Sequence, residues 1–222
     1  MLGFGQSDFP WPADTSVWGQ ADALFFLFQQ LNLTNVVLVG HGFGGGVAQI
    51  LATRLYRKQT RALVLIDTIC YQHAFAPNWP LTNMEKLQDL DAPKENKLED
   101  VINDLRATLP SAVLNVKDFD RVIDNYVNQW NSELGKEVLF RHINLLNPTY
   151  VNSVSSDMHH LGKPTLIIWG ENDEQNPIKY AHRLNHEVPE SKLVIVPDAA
   201  HFSLFDAPDA VARAIVDFAQ DL

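Results

Sequence analysis

Only one cysteine occurs in the 222 residues, at Cys70, so neither an intramolecular disulfide nor a cysteine-cluster zinc site can form. No apolar run approaches bilayer-spanning length, and Met1 to Asp8 lacks the successive basic and apolar regions of a secretion signal. These absences predict a cytoplasmic protein, in which the sequon Asn32-Leu33-Thr34 is a chance match. Positive charge is also scarce: 17 Lys and Arg stand against 27 Asp and Glu, a formal net charge of −10. Nucleic acids and anionic membranes need a basic surface to neutralise phosphates, so neither is expected as a partner. Internal repeats, low-complexity tracts and charged tails are missing too. What is present is the composition of an ordinary globular protein, 46% apolar, and long enough for one large domain or a domain with an insertion.

The apolar patterning is that of an α/β protein. Met1 to Asp14 has no periodicity and carries Gly3, Gly5, Pro10 and Pro12, so it reads as loop. Thr15 or Ser16 then caps a helix through Leu31, with Leu24, Leu27, Phe28 and Leu31 inward. Four runs, Val36–Val39, Ala62–Asp67, Pro164–Trp169 and Lys192–Val196, read as parallel strands, and the continuous apolar run Ala62–Asp67 is that of a strand buried on both faces. Helices are expected between them, including Pro177–Val188 and Pro208–Phe218. From Tyr71 to Lys163 the spacing is helical only, over Lys97–Leu109, Asp118–Trp130 and Leu134–Leu146, separated by Pro93, Pro110 and Pro148. The expected organisation is therefore a mostly parallel sheet with flanking helices, built from residues 1–70 and 164–222 around a helical insertion at 71–163.

In open parallel sheets, ligands bind beyond the carboxyl ends of the strands. The first such end is the stretch Val36-Val37-Leu38-Val39-Gly40-His41-Gly42-Phe43-Gly44-Gly45-Gly46, a strand that breaks on glycine and resumes at once as a helix. Two motifs fit the same letters. As G-x-G-x-x-G, the dinucleotide fingerprint, it reads Gly40, Gly42 and Gly45, with Asp67 as the ribose-binding acid. As the nucleophile elbow G-x-S-x-G, it reads Gly40, His41, position 42, Phe43 and Gly44, with glycine at the centre. The later strand ends supply Gly170-Glu171-Asn172-Asp173 and Ala199-Ala200-His201-Phe202, a carboxylate and an imidazole in the chain order of a nucleophile, acid and base site.

With these three motifs in order, the chain resembles the α/β-hydrolase fold family over essentially its whole length. Gly3-Phe4-Gly5-Gln6-Ser7-Asp8 is similar to that family's loop before the elbow, and the helical insertion falls where its cap domain falls. The resemblance implies that Asp173 orients His201, that His201 is the general base, and that the backbone N–H of Phe43 is an oxyanion donor. It implies a small apolar substrate of ester, halide or epoxide type and no cofactor. It also implies serine or aspartate at position 42. Gly40-His41-x-Phe43-Gly44-Gly45 is closer to the aspartate branch, and Gly42 has no side chain with which to attack.

The expectation is thus an impaired hydrolase in which His201 activates a water above Gly42. Two alternatives stand beside it: a non-catalytic ligand-binding protein on a hydrolase scaffold, and a dinucleotide-binding protein. The chain begins at the loop before the elbow, which points to a shortened or inactivated form. The strand at 36–39 then becomes a sheet edge, expected to be covered by a second copy or else to make the protein aggregate. Asp67, Cys70, Trp79 and Trp130 are candidate pocket residues; Cys70 is also weighed as a substitute nucleophile, although a small buried core residue is the default for it. His182 and His186 have metal-compatible spacing but no third ligand, so no metal is expected.

Overall fold

The computed structural model describes residues 1–10, 12–71, 102–103, 105–107, 109–116, 119–145 and 148–222. Helix α1 (Val17–Gln30) starts where Ser16 caps it, the Ser16 hydroxyl accepting the Gly19 N–H at 3.2 Å. Its inward stripe runs through Val17, Gln20, Ala21, Leu24, Phe25 and Phe28. That stripe is rotated from the expected one, and Leu27 and Leu31 are 46% and 58% exposed. The helix packs most tightly through its first half, where small Ala21 allows close approach.

Strand β1 (Val36–His41) leads into α2 (Phe43–Ile50), which widens into a π turn at Leu51–Leu55, and β2 (Thr60–Ile66) follows. The described residues between β2 and β3 form a 3₁₀ turn (Leu109–Ala112), α3 (Phe119–Val127), a second 3₁₀ turn (Asn128–Trp130), α4 (Glu133–Leu145), α5 (Pro148–Ser155) and a third 3₁₀ turn (Asp157–His160). The expected helix at 97–109 lies partly outside the described residues. Pro148, read from the sequence as a separator, instead opens α5. Proline fits a first helical position because the N–H it lacks has no helical partner there.

The chain then returns to the sheet as β3 (Thr165–Gly170), α6 (Lys179–Glu187), β4 (Ser191–Val196), the short α7 (Ser203–Asp206) and α8 (Pro208–Gln220). All three pairings are parallel, in the order β1-β2-β3-β4. The register places His41 beside Ile66, Ile66 beside Ile168 and Gly170 beside Val196, so the strands end along one edge. On one face Leu63, Leu65, Ile167 and Trp169 pack with α1, α2 and α6; on the other Val64, Ile66, Leu166 and Ile168 pack with α8. Burial on both faces explains why β2 and β3 read as unbroken apolar runs. A third cluster, including Ile123, Val127, Trp130, Leu139 and Ile143, joins the helical segment to Phe4 and Phe9.

Strand β1 differs. It is an edge of the sheet among the described residues, and Val37 and Val39 are 37% and 53% exposed. No helix among the described residues is long and apolar enough to cross a membrane.

Candidate functional site

Gly42 joins β1 to α2 with φ +52° and ψ −119°, a conformation that strains any residue with a side chain. Phe43 opens α2, where the first N–H groups have no acceptor within the helix and point beyond the strand end. Gly45, the third glycine of the fingerprint, is there for packing: a Cβ would collide with the Thr68 side chain. The turn therefore presents backbone N–H groups and open space.

Across from it stand the acid and the imidazole. Asp173 is buried; its Oδ1 accepts the N–H groups of Gln175 and Asn176, both at 2.8 Å. Its Oδ2 lies 2.9 Å from Nδ1 of His201, which must donate because a carboxylate only accepts. This fixes the neutral tautomer with a free lone pair on Nε2. A Cβ placed on Gly42 would lie 3.4 Å from that Nε2. Burial alone pushes the His201 pKa down, but the hydrogen bond and charge of Asp173, with the nearby charge of Asp67, outweigh it and hold the pKa above the usual value.

His41, expected to pack beside the elbow, donates from Nε2 to the His201 carbonyl at 2.9 Å, with its ring against Phe202. Burial, then the neighbouring His201, lower its pKa to about 3, so it stays neutral and serves as a fixed donor. Asp67 is fully buried at φ +44°. Its Oδ1 accepts the Gly170 N–H at 2.7 Å and its Oδ2 accepts the Ser203 hydroxyl at 2.5 Å. Burial first, and Asp173 second, raise its pKa to about 7.

The Asp67 geometry corrects the dinucleotide reading. A ribose-binding acid must offer its oxygens to a ligand, whereas both oxygens here are engaged inside the protein. The carboxylate instead ties the ends of β2 and β3 to the segment after His201. Ser203 and Asn176, whose side-chain amide donates to the Asp67 carbonyl at 2.9 Å, belong to the same network. Sequence reasoning missed both, and the only trace of Ser203 was its place two residues after His201.

Cys70 is enclosed in the main core, where burial pushes its thiol well above the usual range; it occupies the core position that is the default for a small buried residue. Trp130 is buried and meets Phe4 edge-on at 5.8 Å, and Phe4 in turn sits 6.4 Å from Phe43. It thus supports the loop beside the elbow. Trp79 lies outside the described residues. A cavity of about 230 Å³ between Gly3, Thr15, Val138 and His142 is not lined by Asp67, Cys70 or Trp130, the expected pocket residues among those described. Among the described residues, no group of three or more His, Cys, Asp or Glu side chains could hold a metal ion.

The alpha/beta hydrolase fold family matches residues 1–208. The AB hydrolase superfamily protein YisY of Bacillus subtilis (strain 168) is 25% identical over 98% of this chain and 78% of its own length. Lipase 1 of Psychrobacter immobilis is 24% identical over 96% of this chain and 64% of its own length. The crystal structure of an alpha/beta hydrolase fold protein from Burkholderia ambifaria superposes with a TM-score of 0.81, at 24% identity, over 97% of this chain and 77% of that one. With the fold, the strand-end geometry and the family match in agreement, the chain belongs to the alpha/beta hydrolase fold family.

Proposed function

We propose that this protein is a hydrolase of a small apolar substrate, an ester foremost, in which His201 activates a water held above Gly42. One observation carries the reading: His201, held by Asp173 through Nδ1, aims Nε2 at a space that a side chain on residue 42 would enter at 3.4 Å. A water there would give its proton to Nε2 as its oxygen attacks the substrate carbonyl, while the N–H of Phe43 faces the oxygen that gains charge. The leaving alkoxide recovers the proton from the imidazolium, and Asp173 stabilises the cation in between.

Magnitudes set the expected scale. Loss of a catalytic serine costs about 10⁶ in turnover in a serine protease. A positioned general base restores roughly 10² to 10⁴ over water, so slow turnover is the expectation. The apolar preference is supported by Phe202, 5.4 Å from His201, with Tyr126 and Phe205 packed on it, each more than a third exposed. The ester preference is supported by the similarity to a lipase.

The test is hydrolysis of a short-chain p-nitrophenyl ester by the purified chain and by His201→Ala. A slow rate that vanishes in the variant is expected; a rate that does not change ends the proposal. The glycine at 42 also favours a second reading, a binding protein that holds an apolar ligand without turnover. That reading expects ligand affinity with no ester cleavage, and affinity indifferent to His201→Ala.

A further inference from the structure

The backbone around residues 112–115, which follows the 3₁₀ turn Leu109–Ala112, runs beside the loop that carries His201. Four hydrogen bonds join them. The Phe202 N–H donates to the Ala112 carbonyl at 2.9 Å, and the Asn115 side-chain amide donates to the Asp198 carbonyl at 2.5 Å. The other two converge on Asp206 of α7. Its Oδ1 accepts the N–H groups of Leu114 and Asn115, both at 2.8 Å, and its Oδ2 accepts the N–H of Ala200 at 2.9 Å. Ala200 is the residue immediately before His201.

One carboxylate therefore serves donors from two separate parts of the fold. Three N–H donors on one anion form a charge-assisted set that an amide cannot reproduce, because its NH₂ end has no acceptor to offer. The bonds span more than ninety residues of chain, so they are not a local cap of α7 alone.

We propose that Asp206 is a positioning residue that couples the segment 112–115 of the helical region to the His201 imidazole. A displacement of 112–115 is transmitted through Oδ1 to Oδ2, then to the Ala200 N–H, and turns the backbone that sets the ring. Only its catalytic consequence rests on the reading of His201 as a general base; the mechanical link stands apart from it.

The experiment uses the full chain without substrate, so its outcome is separate from that of the hydrolase reading. Amide exchange at Leu114, Asn115 and Ala200, and the NMR titration of His201, are compared between the unsubstituted chain and Asp206→Asn. The groups facing His201 in that titration are Asp173, Asp67 and His41. Exchange at all three amides should rise together by about tenfold, and the His201 midpoint should move. If Leu114 and Asn115 loosen while Ala200 and the His201 titration stay as they were, the coupling is refuted. Leu114→Pro is the second variant, because the Leu114 side chain is 53% exposed and the change deletes one donor on the far side only. It should shift the His201 signals in the same direction as Asp206→Asn, and an unmoved His201 would overturn the proposal.

Discussion

The two halves of the candidate site are built in opposite ways. The elbow half, Gly40 to Gly46, offers backbone N–H groups and a gap, and its central residue sits at a positive φ with no side chain to strain. The other half is made of side chains: Asp67, Asp173, His201 and Ser203 are all buried and hydrogen-bonded to one another or to the strand ends. The elbow half depends on close backbone packing at Gly40, Gly45 and Gly46, whereas position 42 faces only the His201 ring, so a change there meets no backbone. A networked half resists change, because removing one member leaves another buried polar group without a partner.

The sharpest way to break this contrast is His201→Ala, which should lower ester hydrolysis by about 10² to 10⁴ in a stopped or continuous p-nitrophenol assay. Next comes Gly42→Ser, placed within reach of Nε2. It should raise the same rate by roughly 10² and give an initial burst of p-nitrophenol as an acyl-enzyme forms. An unchanged rate would mean that the networked half is not poised for catalysis.

Ser203→Ala tests the networked half alone. It removes the partner of Asp67 Oδ2 and should cost about 2 kcal/mol in urea unfolding, with little change expected from an equivalent small substitution at Gly44. The smallest effect is on pH. As a base His201 acts when neutral, and its folded pKa lies above 6.5, so the rate should fall about tenfold per pH unit below that folded value. Its linkage to stability has the opposite sense: the contribution is complete below 6.5 and is lost as pH rises through the raised pKa. A pH–rate profile beside a pH–melting profile would show the two trends crossing.

Much of this fold was legible in the residues. Strands β2 and β3 are buried on both faces, and such strands must be apolar nearly throughout, so the runs Ala62–Asp67 and Pro164–Trp169 announced themselves. Asp173 and His201 stood out because each follows a strand directly. The links among Asp67, Ser203, Gly170 and Asp206 were invisible for a physical reason: they join positions 91 to 136 residues apart, or use backbone N–H groups that every residue carries. The α1 stripe was misassigned at Leu27 and Leu31 because a helix rich in apolar residues has several candidate faces, and only packing selects one.

The two outer strands give the sheet an unequal valence. At β4, Lys192 pairs with Asp221 at 2.7 Å, and such charge discourages another strand from docking. At β1, the exposed Val37 and Val39 offer no such barrier. Among the described residues the sheet therefore has one charged margin and one apolar margin, so a solvent probe or a docking surface would meet chemically different faces at β4 and at β1.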